Sequence, residues 1–190
     1  MEKCVYHMVP KNMFGDYLMP LNRLKVKDEE LYKKYIKKYE DHPKRTKLHQ
    51  RKIPKLDCLW NDVIHFLPLH PNHVYEALKT FEVNTRTDLL FYKVPIENLS
   101  NNQNVIYQTD KASYQGPDKD IPNKHIHIID TQQYEGLTSI PQDTMDYYKE
   151  EIRKGNKFGM FQFIPHLFSD GEVDISNAKV INWSKKIDEI

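Results

Sequence analysis

Apolar residues first gather at Val5 to Val9, a short strand-like run that Pro10 ends. Between Asp28 and Asp41 the period changes, and Leu31, Tyr32, Tyr35, Ile36 and Tyr39 recur every three or four positions among lysine pairs. That spacing puts them on one face of a helix, with acidic Asp28, Glu29 and Glu30 in the first turn, where the macrodipole favours negative charge. Pro43 is expected to stop this helix, and the polar stretch Lys44 to Lys55 to form a loop. A largely apolar stretch from Leu56 to Pro71 then leads into Val74, Ala77, Leu78 and Phe81 at helical spacing, with Asn72 as the expected N-cap.

Beyond that helix the alternation is strand-like over Asp88 to Pro95 and Asn104 to Thr109, separated by an Asn/Ser-rich turn. His125 to Asp130 reads as another short strand. Thr144 to Lys154 reads as a helix with Asp143 as cap and Gly155 as its left-handed stop, and Phe158 to Ile164, Glu172 to Ile175 and Lys179 to Trp183 as three closing strands. Strands outnumber helices and do not alternate regularly with them, which predicts an α+β domain and argues against a doubly wound sheet.

Composition narrows this. At 190 residues, 39% hydrophobic and 12% aromatic, the chain can build one packed core, so residues 1–190 are expected to form a single domain. Its net charge of +1 hides an asymmetry, because Lys25 to Lys55 carries twelve Lys/Arg against five Asp/Glu, a local +7 that leaves −6 elsewhere. This basic helix and loop reads as an insertion or arm that could follow the phosphates of a single nucleic-acid strand, or equally as a solvated surface. No run approaches the length of a membrane span and no secretory leader pattern opens the sequence. Cys4 and Cys58 are too few for a disulfide framework, so a cytoplasmic location is expected.

The common glycine-rich phosphate loops, the nucleophile elbow and the His-Glu-x-x-His zinc signature are all missing, and there are only six glycines. Nine histidines are the first chemical lead. His125 and His127, if both lie on a strand, share a face and could hold a divalent ion for hydrolysis, although no spacing identifies a third ligand. Cys58 with His65 could be imagined as nucleophile and base, but nothing nearby would lower the thiol pKa.

The second lead is a set of patches in a particular order. Val5-Tyr6-His7-Met8 opens the chain. Asn61-Asp62-Val63-Ile64-His65-Phe66-Leu67-Pro68-Leu69 precedes His70-Pro71-Asn72-His73 and a helix. Phe91 to Leu99 leads to Val105-Ile106-Tyr107-Gln108-Thr109-Asp110-Lys111-Ala112-Ser113, and Gly171-Glu172-Val173-Asp174-Ile175 leads to Ala178 to Ile181. In that order the patches, about half the chain, resemble the DarT-like branch of the ADP-ribosyltransferases.

The resemblance implies a split mixed sheet with flanking helices and a cleft for NAD, the substrate, between its halves. It implies transfer of ADP-ribose to an acceptor, with nucleic acid the favoured class, and a toxin-like protein with a protein partner or antagonist. His7 would meet the nicotinamide-side ribose, with Met8, Asn72, Tyr107 and Thr109 as further NAD contacts, Tyr107 or Tyr114 stacking on nicotinamide, and Glu172 and His73 catalytic. Where the family has an arginine after proline this chain has Asn72, so His73, Arg86 or Lys111 would have to supply the cation. Chemically, expelling neutral nicotinamide leaves positive charge on the ribose, which an adjacent carboxylate stabilises increasingly as the bond breaks. The competing expectation is a binding module without catalysis, whose cleft is degenerate because the arginine is missing.

Overall fold

The computed structural model describes residues 3–11, 13, 15–40, 47–117 and 119–187. Pro43 and positions 44–46 of the expected loop lie outside the described residues.

Two antiparallel sheets carry the architecture. One has the order β1 (Cys4–Met8), β6 (Leu90–Pro95), β11 (Lys179–Asn182); the other has the order β5 (Ile64–Phe66), β9 (His166–Asp170), β7 (Gln103–Tyr107), β8 (Ile126–Ile128). They meet where Tyr6 and Leu67 exchange backbone hydrogen bonds, N–H to O at 2.9 and 2.8 Å. Two ribbons complete the strands, β2 (Tyr17–Leu18) with β10 (Val173–Asp174) and β3 (Lys52–Ile53) with β4 (Cys58–Leu59). Every pairing between these strands is antiparallel, where a mixed sheet was expected, and the one parallel contact described is the isolated Leu69–Leu137 bridge. The reason is the connection: α3 (Pro71–Thr80) links β5 to β6, which belong to different sheets, so it makes no parallel crossover within one sheet. The domain is therefore α+β.

The pleat explains how β1 serves two cores. Fully buried Val5 joins Leu18, Ile64, Phe66, Val94 and Val173, while Tyr6 and Met8, on the alternate face, pack with Leu69, Phe91, Tyr148 and Trp183. A third cluster around Ile53, Val105, Ile126 and Phe168 fills the far end of the four-stranded sheet.

The helix over 28–41 is present as α2 (Glu29–Glu40), preceded by α1 (Leu21–Lys27), which the strict apolar period did not reveal. At α3 the cap is His70, whose Nδ1 accepts from the Asn72 N–H at 3.2 Å, with Pro71 in the first turn; Asn72 is therefore not the cap, and its buried amide donates to Trp183 O at 2.9 Å. α4 (Gln142–Lys154) begins after Pro141 and ends at Gly155, φ +69°, as expected, but Asp143 accepts from the Lys111 N–H instead of capping its own helix. Residues 158–164 are turns and not a strand: Phe163 takes φ +64° and Gln162 N–H reaches back to Gly159 O, so the paired strand starts only after Pro165.

Candidate functional site: two clefts that share a wall

The 3-10 turn Trp60–Asp62 organises the site. Asp62 uses one carboxylate oxygen to accept from the Leu59 N–H at 2.7 Å, closing the turn, and the other to accept from Asn22 Nδ2 at 2.6 Å, which anchors α1 over it. His65 on β5 donates Nε2–H to Trp60 O at 2.9 Å, and the two rings tilt together with centroids 4.6 Å apart. Trp60 and His65 thereby form a fixed wall with a cleft on each side.

The first cleft, about 430 Å³, lies between β1 and β5 below and α1 and α2 above. His7 and Met8 belong to its floor, Tyr17 and Leu18 to one end, and Tyr35 to its roof, where the Tyr35 hydroxyl donates to Lys11 O at 2.6 Å. His7 donates Nδ1–H to His65 O at 2.8 Å, which fixes the orientation of its ring. Lys11 and Lys34 are the charged residues of the lining, and among the described residues no carboxylate lines this cleft.

The second cleft, about 460 Å³, is built from Tyr107 and Thr109 after β7, Tyr114, the 159–164 turns and His166. Burial raises the Tyr114 pKa, opposed in part by the Gln162 hydrogen bond and the Arg51 charge. Burial also lowers the His166 pKa, and its Nδ1–H is given to Ile164 O at 2.7 Å. Arg51 joins this wall. Its guanidinium lies 5.1 Å from the Trp60 ring centroid and 5.6 Å from that of Tyr107, and the residue is only 7% exposed.

The expected NAD contacts are thus divided. His7 and Met8 are in the first cleft, and Tyr107, Thr109 and Tyr114 in the second. Asn72 is committed to Trp183 O, and His73, whose pKa burial lowers, lies on the same turn of α3 and lines neither cleft. Arg86 pairs with Asp88 and Lys111 with Glu150, so neither is the cation beside a cleft. Glu172 also lies outside both linings. Its Oε1 accepts from Lys27 Nζ at 2.7 Å, while the next residue, Val173, pairs with Leu18 of the first cleft. Its backbone therefore runs beside that cleft and its carboxylate is held by the end of α1.

Of the two histidines considered for metal, only His127 lies on the strand; His125 ends a 3-10 turn and is buried where His127 is exposed. Among the described residues no group of three His, Cys, Asp or Glu is placed to hold a metal ion. The Cys58 thiol is pushed up to about 12, chiefly by burial and then by nearby Asp170, Asp62 and Asp57, the opposite of what a nucleophile needs. The arm over 25–55 is partly spent on internal contacts: Lys27 on Glu172, Lys33 on Glu29, Lys55 on Ile126 O and Arg51 on Lys119 O.

No protein-family description, curated protein or solved structure matches this chain. Arg51 and the Trp60–His65 wall are the parts of the site that the sequence hid. Arg51 stands in a basic run, where nothing marks one cation as buried. No described helix is long and apolar enough to cross a membrane.

Proposed function

We propose that the chain binds NAD in the first cleft and transfers its ADP-ribose to an acceptor, on an ADP-ribosyltransferase-like split sheet. The observation that carries this reading is the fixed His7 ring in a cleft whose charged lining is cationic. The oriented His7 ring meets the nicotinamide-side ribose, the aromatic and methionine walls cover the nicotinamide ring, and Lys11 and Lys34 offset the diphosphate charge. In the reaction the ribose C1′–nitrogen bond breaks and nicotinamide leaves neutral with the bonding pair. The acceptor's lone pair then forms the new bond to C1′ and its proton is lost to solvent.

Glu172 is the carboxylate assigned to the ribose cation. It must first leave Lys27, and the pair is half open to water, with the lysine side chain 52% exposed, so separation costs about 1 kcal/mol or less. The acceptor class, a nucleobase, rests on the resemblance alone; among the described residues of the arm, exposed Lys25, Lys37, Lys47 and Lys52 are cations available for its backbone. A second reading, binding without transfer, is favoured by one observation: the carboxylate is paired with Lys27 and does not line the cleft.

Thermal shift with NAD, followed by labelling with a tagged NAD, separates the two readings. Transfer predicts that NAD raises Tm, that His7→Ala removes the shift, and that Glu172→Gln keeps the shift but loses labelling. A shift in the parent protein without labelling of nucleic acid or protein leaves only the binding reading, and no shift at millimolar NAD overturns both.

A further inference from the structure

We infer that the second cleft is a binding site for a small ligand that carries an oxyanion on a planar ring, with Arg51 as its anchor. Arg51 is buried, yet its hydrogen bonds go to neutral groups: Nε–H to Lys119 O at 2.8 Å and Nη2–H to the Tyr107 hydroxyl at a long 3.4 Å. Among the described residues no carboxylate lies within ion-pair distance of it. Asp120 lines a small adjoining crevice with it, without forming a bridge, and is not in the cleft's own lining. A buried cation is normally compensated by a paired anion, and leaving one without a counter-charge is strongly unfavourable. The cleft beside it has room for that anion.

The lining says what else the ligand carries. Trp60, Tyr107 and Tyr114 offer ring faces and edges, and no acidic side chain is among the described lining residues to repel an anion. His166, kept neutral by desolvation and donating Nδ1–H to Ile164 O, holds its lone pair on Nε2, an acceptor for a ligand hydroxyl or N–H. Thr109 and Gln162 add donors. A volume of about 460 Å³ suits one small molecule. The guanidinium fork matches the paired oxygens of a phosphate or a carboxylate equally well, so this chemistry is shared by an aromatic phosphate ester and an aromatic carboxylate. The inference does not need NAD in the first cleft, since the two linings share only Trp60 and His65.

The test is thermal shift and ligand-observed NMR on the full chain with 5′-AMP, benzoate, inorganic phosphate and adenosine. A saturating ring-bearing oxyanion is expected to raise Tm by on the order of 3–5 °C, with adenosine giving no rise and phosphate alone a smaller one. A shift with AMP assigns the source to a phosphate ester, and one with benzoate to a carboxylate. Arg51→Met is expected to abolish the shift without lowering the unliganded Tm, because it removes a buried charge that no described carboxylate compensates and keeps an apolar stem. Should Arg51→Met not fold, Arg51→Lys keeps the charge but not the fork and is expected to weaken binding about tenfold or more. Retention of the shift in both variants, its loss in His7→Ala, or no response of the parent protein to either ring-bearing anion overturns the inference.

Discussion

His70 gives the most direct test of how this fold meets pH. It caps α3 through Nδ1, packs against the edge of Tyr6 with centroids 5.0 Å apart, and is 8% exposed. Burial, followed by the charges of His73 and Lys93, lowers its pKa from 6.5 to about 4. The sign follows from linkage: the unfolded chain takes up the proton first as pH falls below 6.5, so stability is complete above that value and declines until the folded form also protonates near 4. At about 1.4 kcal/mol per pH unit this amounts to an upper bound of about 3 kcal/mol, or on the order of 5–10 °C in Tm for a chain of this size. His70→Asn keeps a good N-cap and removes the titration. Calorimetry or circular dichroism melts at pH 7 and pH 4.5 are expected to show a Tm drop several degrees smaller in the variant. His166, whose pKa desolvation also lowers, and the ion-paired carboxylates act in the same direction, so only the difference between the two proteins isolates His70. Parallel pH profiles, or an NMR titration midpoint for His70 near 6.5, would refute the reasoning.

Gly171 sits at φ +141°, and a Cβ there would come within 2.5 Å of Asn102 Oδ1, whose amide also donates to Ser169 Oγ and Glu172 O. Gly171→Ala is expected to lose roughly 2 kcal/mol or more in urea unfolding, and an unchanged midpoint would contradict that geometry. Cys58, with its thiol pushed up to about 12, and buried Cys4 are expected to resist iodoacetamide at pH 8 while the protein is folded and to react once it is unfolded. Prompt labelling of native protein would contradict this.

The helices were legible because their signals are local. The period of Leu31, Tyr35 and Tyr39 and the glycine at 155 each determine a structure within a few residues. α1 was hidden because it buries no residue completely; its Leu21 and Leu24 face a cleft that exists only after α2 folds over it. The expected strand over 158–164 failed for a related reason, since a run of apolar residues says that it is covered without saying whether it alternates. The cap on α3 shows a closer contest: Asn is the usual cap, but Pro71 starts the helix one residue earlier and gives the role to His70. At the site, His7 and Met8 were legible as a pair on one strand. That Tyr107 lies on the other side of a tryptophan from them was not, because it depends on β7 pairing with β9 some sixty residues later.

That long-range pairing also bears on how the chain is made. Among the described residues β1 pairs with β6 alone, apart from its bridge to Leu67, and β6 must also receive β11 near residue 180. During ribosomal synthesis β1 therefore waits, edge uncovered, until residue 95 has emerged, and the sheet stays half-built until residues 179–182 have followed. Such non-local closure slows folding and lengthens the exposure of an adhesive edge.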